Sequence, residues 1–220
     1  MTGTDDNADR LLAHFDALGL VPLQGTRGWT HMGGVLADAA LQRRARYQLV
    51  VKPRVRDLIE SWPDAETVSG FARRLASDDI SAVLRWRPGP KLVLLRELAG
   101  AMTELGIETV ADLRARLAGE DAASVRARLR SIHGVGPKTV DYLAILAGCD
   151  GSAAIDRHLQ RFAAEAGLGK TSYGPLSDVV ATAAGRRGWT PTAIDGAIWQ
   201  HMSNRPKYRQ KAATTAPTKA

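Results

Sequence analysis

The sequence predicts an all-α protein, and three observations carry that expectation. Apolar residues recur at three-to-four spacing almost throughout. Strand-like alternation is scarce, and proline, glycine and hydroxyl residues fall where helix ends need them. Helices are expected near 7–18, 34–46, 53–60, 65–76, 79–85, 91–105, 110–118, 122–131, 137–147, 157–166, 173–184 and 191–202.

The ends justify several of these in turn. Pro53 and Pro191 suit a first helical position, where a missing N–H costs nothing, and Thr190 precedes Pro191 as an N-cap. Gly106 and Gly119 follow their helices as C-terminal stops. Tyr47–Val51 is the one strand candidate, equally readable as a buried connector. No repeat or low-complexity linker divides the chain. The expectation is therefore a single helical domain over 1–204, a compact bundle with a cleft between two halves, followed by a basic tail over 205–220. The terminal KAATTAPTKA lacks large apolar residues and is expected to be disordered.

Composition narrows the class. The chain has 220 residues, 45% apolar and 24% charged, as in a globular soluble protein. No apolar run approaches the ~18–20 residues that cross a bilayer, and the acidic start MTGTDDNADR does not resemble a secretory signal. A lone cysteine, Cys149, excludes an internal disulfide and an all-cysteine metal or iron–sulfur site. A cytoplasmic, nucleoid-associated location is expected. The net charge of +7 and pI near 9.9 suggest a polyanionic partner. Five of those positive charges lie in the tail from Arg205 onward, but LQRRARYQLVVKPRVR (41–56) holds Arg43, Arg44, Arg46, Lys52, Arg54 and Arg56 without an acid.

The stretch SIHGVGPKTVDYLAILAGCDGSAAIDRHLQRFA (131–163) carries the chemistry. Two glycines around Val135 permit a tight turn with positive φ and close backbone approach, with Val135 tucked inward between two helices. The free N–H groups of that turn and of the following helix's first turn suit a phosphate. An ordinary helix–turn–helix connection without a ligand accounts for them equally. Lys138 then falls in the first helical turn, where the macrodipole disfavours a cation. Asp141 offers a surface ion pair as the plain explanation, although base-before-acid is the poorer orientation. The chemical explanation is that an ammonium destabilised there yields its proton readily, which makes a nucleophile suited to Schiff-base formation. Asp156, 18 positions on, opens the helix over 157–166 as a favoured N-cap. A carboxylate so placed is also suited to accept the lysine's proton or to stabilise positive charge on a sugar ring.

The run L129-R-S-I-H-G-V-G-P-K-T-V, followed by A154-I-D-R-H, resembles the helix-hairpin-helix (HhH-GPD) DNA glycosylase superfamily, which includes endonuclease III and 8-oxoguanine glycosylase. The resemblance covers 122–166 well and 91–117 weakly, while 1–90 offer no residue-level match. It implies a glycosylase fold in which Gly134 and Gly136 grip a DNA phosphate, with Val135 and Thr139 in the DNA-binding set; His133 either adds a phosphate contact or is merely exposed. It further implies a structural K+ or Na+ at the backbone of Ile132 and Val135, attack by Lys138 on C1′, and Asp156 as the catalytic carboxylate. Arg157 and His158 either meet phosphates or lie exposed on the helix. No organic cofactor, iron–sulfur cluster or catalytic transition metal is implied. The partner is double-stranded DNA with a damaged, modified or abasic site, met by a monomer away from membranes. The implied reaction is base excision with β-elimination of the strand, the alternatives being a monofunctional glycosylase or a non-catalytic DNA-binding hairpin.

Such a reaction needs the base flipped from the duplex and held against aromatic side chains. Among Trp29, Trp62, Trp86, Trp189 and Trp199, the glycine-flanked Trp29 is the candidate for base contact; Trp199 and Met202 read as core. Gln24, Gln42 and Gln48 are candidates for a residue that fills the vacated stack. His133 replaces a common proline, and Val140 is larger than the residue usual at its place.

Overall fold

In the computed structural model, which describes residues 3–25 and 27–205, all regular structure is helical and no strand occurs among the described residues. The helices are α1 (Gly3–Ala17), α2 (Met32–Leu41), α3 (Lys52–Ser61), α4 (Val68–Ser77), α5 (Ile80–Val83) and α6 (Pro90–Glu104). They continue with α7 (Val110–Ala118), α8 (Ala122–Arg130), α9 (Pro137–Leu146), α10 (Arg157–Glu165), α11 (Tyr173–Arg186) and α12 (Pro191–Ser203). The tail from 206 onward, expected to be disordered, lies outside the described residues.

Most helix ends follow their signals. Thr190 caps α12 by accepting the Ala193 N–H at 3.2 Å, and Thr109 and Asp112 close a capping box on α7. Three expectations need correction. Tyr47–Val51 is a π-helical turn rather than a strand: the Arg46 carbonyl accepts the Val51 N–H at 3.4 Å and the Tyr47 carbonyl accepts the Lys52 N–H, both five residues on, and the turn feeds directly into α3. Its valine pair serves helix entry, and only Val51 is buried there. The helix expected over 34–46 stops at Leu41, because Arg44 adopts a positive φ of 55° and the Lys91 ammonium binds the Leu41 carbonyl at 2.5 Å. The helix expected over 65–76 is two pieces, a 3-10 turn (Pro63–Glu66) and α4, separated by Thr67, whose extended backbone and side chain cap α4.

Two compact units emerge, one from 3–25 with 150–205 and the other from 27–149. In the first, α1, α10, α11 and α12 enclose Leu11, Phe15, Leu159, Phe162, Val180, Ile198 and Met202. Each such fully buried large side chain contributes about 1.5–3 kcal/mol of transfer free energy. Phe15 and Phe162 meet edge-on with centroids 6.5 Å apart. The second unit is built around α2, whose ten residues are all buried and which packs against α3, α6 and α9. A helix apolar on all sides belongs at a centre. The single carboxylate inside it, Asp38, is the anomaly of that unit.

Candidate functional site

The hairpin is formed by α8, a turn and α9. Leu129, Ile132, Val135 and Val140 are buried and lock the two helices together. Val135 is 6% exposed, as expected of an inward-tucked residue, and its N–H donates to the Ile132 carbonyl at 3.0 Å. Gly134 has φ +84°, which favours glycine, whereas Gly136 is extended at φ −104° and serves as the α9 N-cap. The N–H groups of His133, Gly134 and Gly136 have no acceptor among the described residues, and a Cβ added at either glycine would meet nothing within 4 Å. The turn therefore presents open donors. His133 is exposed and Thr139 half-buried. Val140, despite its size, is accommodated at 1% exposure. Across the hairpin, Arg126 of α8 pairs with Asp141 of α9 at 2.6 Å.

A backbone cation site needs carbonyl lone pairs. Ile132's carbonyl keeps one beyond the Val135 hydrogen bond, and the Val135 carbonyl has no donor among the described residues, so both fit a monovalent ion. Among the described residues, no group of three or more His, Cys, Asp or Glu is placed to hold a metal. No described helix is long and apolar enough to cross a membrane.

Lys138 is half-buried in the first turn of α9. Its ammonium donates to Oε1 of Gln42, just beyond α2, and lies 4.5 Å from the centroid of the Tyr142 ring. Tyr142, one helical turn on, donates its hydroxyl to Asp38 Oδ1 at 2.9 Å. Asp38 is 0% exposed and accepts two further bonds at Oδ2, from Trp29 Nε1 at 2.8 Å and from the Tyr47 hydroxyl at 3.0 Å. Burial pushes the Asp38 carboxyl above its ordinary value, while the three donors and the Lys138 charge pull it back. Burial, and then the Asp38 charge, raise both tyrosines, which keeps them protonated as donors. The arrangement is a buried carboxylate with three donors, one of which, Tyr142, also lies beneath an amine.

Trp29, expected to contact a base, is half-buried with its indole N–H committed to Asp38. Its loop is held tightly: a Cβ at Gly28 would lie 2.0 Å from the Leu146 carbonyl oxygen. Of the glutamines, Gln24 and Gln48 are exposed and Gln42 is engaged with Lys138. Trp62 and Met202 are core residues, but Trp199 is half-buried rather than core. Trp86 carries Lys91 at 4.4 Å and Arg54 at 5.6 Å from its ring.

In the other unit, Asp156 is half-buried and caps α10, its Oδ1 accepting the N–H of His158 at 2.7 Å and of Leu159 at 3.1 Å. Oδ2 lies outside that cap. Arg157 is exposed. His158 is 8% exposed, leaving little surface for a phosphate, and desolvation lowers its imidazole despite the charge of Asp156. Sequence reasoning missed Asp38, Tyr47 and Tyr142. The available signal was a lone acid inside MGGVLADAAL, where nothing else is charged.

No curated protein and no solved structure matches the chain. A family described as "Domain of unknown function (DUF8548)" matches residues 32–203, from the start of α2 to the end of α12. That span is well over half of the chain, and the protein belongs to this family.

Proposed function

We propose that the protein is a DNA glycosylase that extrudes a damaged or modified base from duplex DNA, removes it, and cleaves the strand by a lyase step. One observation carries this reading. Lys138 stands directly after a turn with open backbone donors, and its amine is gathered among Gln42, Tyr142 and the charge of Asp38. Phosphate binding at the N–H groups of His133, Gly134 and Gly136 would hold the distorted backbone; Arg157 adds an exposed cation.

In the proposed reaction the neutral Lys138 amine attacks C1′, and the C1′–N bond breaks with its electron pair leaving on the base, which takes up a proton. Nζ loses a proton, and C1′–O4′ opens with its electron pair on O4′, which takes up a proton, giving a cationic iminium. A base removes the C2′ proton, the C3′–O bond breaks with its pair on the phosphate, and water hydrolyses the imine to regenerate lysine. Asp156 is proposed as the reaction's catalytic carboxylate, acting through Oδ2, the oxygen that its cap leaves over. A K+ or Na+ held by the Ile132 and Val135 carbonyls would add positive charge for the phosphate.

The Lys138–Gln42 bond favours a second reading, in which the lysine remains a fixed cation beside a monofunctional glycosylase. Strand incision on a duplex with one abasic site separates the two. Wild type incising and Lys138→Gln failing to incise supports the lyase; no incision by either, with base release from duplexes carrying damaged bases in a parallel assay, supports the monofunctional enzyme. Unchanged DNA binding with neither activity overturns both.

A further inference from the structure

Asp38 has no part in the mechanism above, and its placement demands an account. A carboxylate withdrawn wholly from water costs several kcal/mol, and apolar replacements of buried ionic groups are often neutral or stabilising. Here it occupies the middle of a helix whose other nine residues are uncharged. Three donors from three different segments converge on its two oxygens at 2.8–3.0 Å. One of them, Tyr142, has Lys138 over its ring face. A phenol that donates to an anion becomes richer in electrons, which strengthens its hold on a cation.

We propose that Asp38 is a positioning residue for the chemistry at Lys138. Its buried negative charge, relayed by Tyr142, balances the positive charge that the Lys138 nitrogen carries as an ammonium and then as an iminium. The proposal rests on the reading of Lys138 as the nucleophile. The coupling is mutual: the Lys138 charge favours ionised Asp38, so ionised Asp38 favours a cation at Lys138 by the same free energy. The groups that bear on Asp38 are Lys138, Trp29, Tyr47 and Tyr142, with Arg27 acting on both tyrosines. Asp141, one turn along α9 from Lys138, is paired with Arg126. At an abasic site, the amine adds to the C1′ aldehyde, and the resulting hydroxyl takes up a proton and leaves as water. The resulting C=N+ then lies beside a fixed anion that need not reorganise.

The test compares wild type with Asp38→Asn, which keeps the shape and removes the charge. Acetic anhydride labelling of Lys138 across neutral to alkaline pH, read by peptide mass spectrometry, reports the amine directly. The expected result is a shift of half-labelling to lower pH by about one unit, since an opposite charge has been lost. In parallel, borohydride trapping on an abasic duplex, at a pH above the wild type's half-labelling point where the amine is already neutral, should slow about tenfold with the DNA affinity unchanged. If Asp38→Asn melts early, Tyr142→Phe keeps the ring beneath Lys138, removes the relay, and should shift the labelling the same way by a smaller step. An unchanged labelling profile in a folded variant overturns the proposal and leaves Asp38 a structural anchor. Wild type that labels normally but never traps overturns the lyase reading instead, and the labelling shift then decides the Asp38–Lys138 pairing alone.

Discussion

Two aspartates, one in each unit, show how differently the same side chain can be used. Asp156 is half-buried at a helix start, and its bonds go to two backbone N–H groups of its own segment, two and three residues away. Asp38 sits mid-helix, and its bonds go to side chains 9 and 104 positions away. The first is what local chain physics would place there anyway. The second is assembled by tertiary structure at a cost in desolvation. The difference teaches that a cap can conceal a catalytic group, because its structural role already explains it, whereas a buried carboxylate among aromatic donors calls for a further explanation.

Substitutions can break that comparison. The largest effect on stability should come from Asp38→Ala, which strands three buried donors and destabilises by about 3–5 kcal/mol; urea unfolding followed by fluorescence measures it. A cost below about 1 kcal/mol would mean the network closes over the gap. For Asp156→Asn the expectation is reversed. Asparagine caps as well as aspartate, so stability should stay within a few tenths of a kcal/mol while turnover falls about a hundredfold or more. Equal activity in the two proteins would reduce Asp156 to its cap. Asp156→Ala adds the lost cap, about 1 kcal/mol by the same unfolding assay.

Smaller effects sharpen the picture. Gly134→Ala places a side chain at φ +84°, which costs about 1–2 kcal/mol and should loosen the grip on duplex DNA in a salt titration. His31 and His158 are both held below the ordinary imidazole value of 6.5 by burial. The unfolded chain then binds protons first, so their contribution is complete above 6.5 and is lost as pH falls through their lowered folded values. The two units should each weaken on mild acidification, and His158→Gln should flatten that dependence for its unit when melting is followed against pH.

How much of this was legible in the sequence depended on range. Helix ends are local events, so Thr190, Pro191 and Asp156 could be placed from their neighbours alone. The inward turn of Val135 was equally legible, because glycine on either side leaves few alternatives. The π-turn was not: consecutive β-branched residues suggest a strand, and only the entry into α3 winds them otherwise. The Asp38 network was the least legible, since Trp29, Asp38, Tyr47 and Tyr142 share no periodicity and meet only when α2 packs on α9. Lys138 stood out for its wrong place on a helix dipole, but its partner Gln42 surfaced only as a candidate for another task.

Borohydride trapping on a duplex carrying one abasic site, followed by peptide mapping of the adduct, tests the central claim most directly. The account predicts a covalent adduct in the wild type that maps to Lys138 and disappears in Lys138→Gln. An adduct on any other lysine, or none at all while DNA binding is retained, would contradict it.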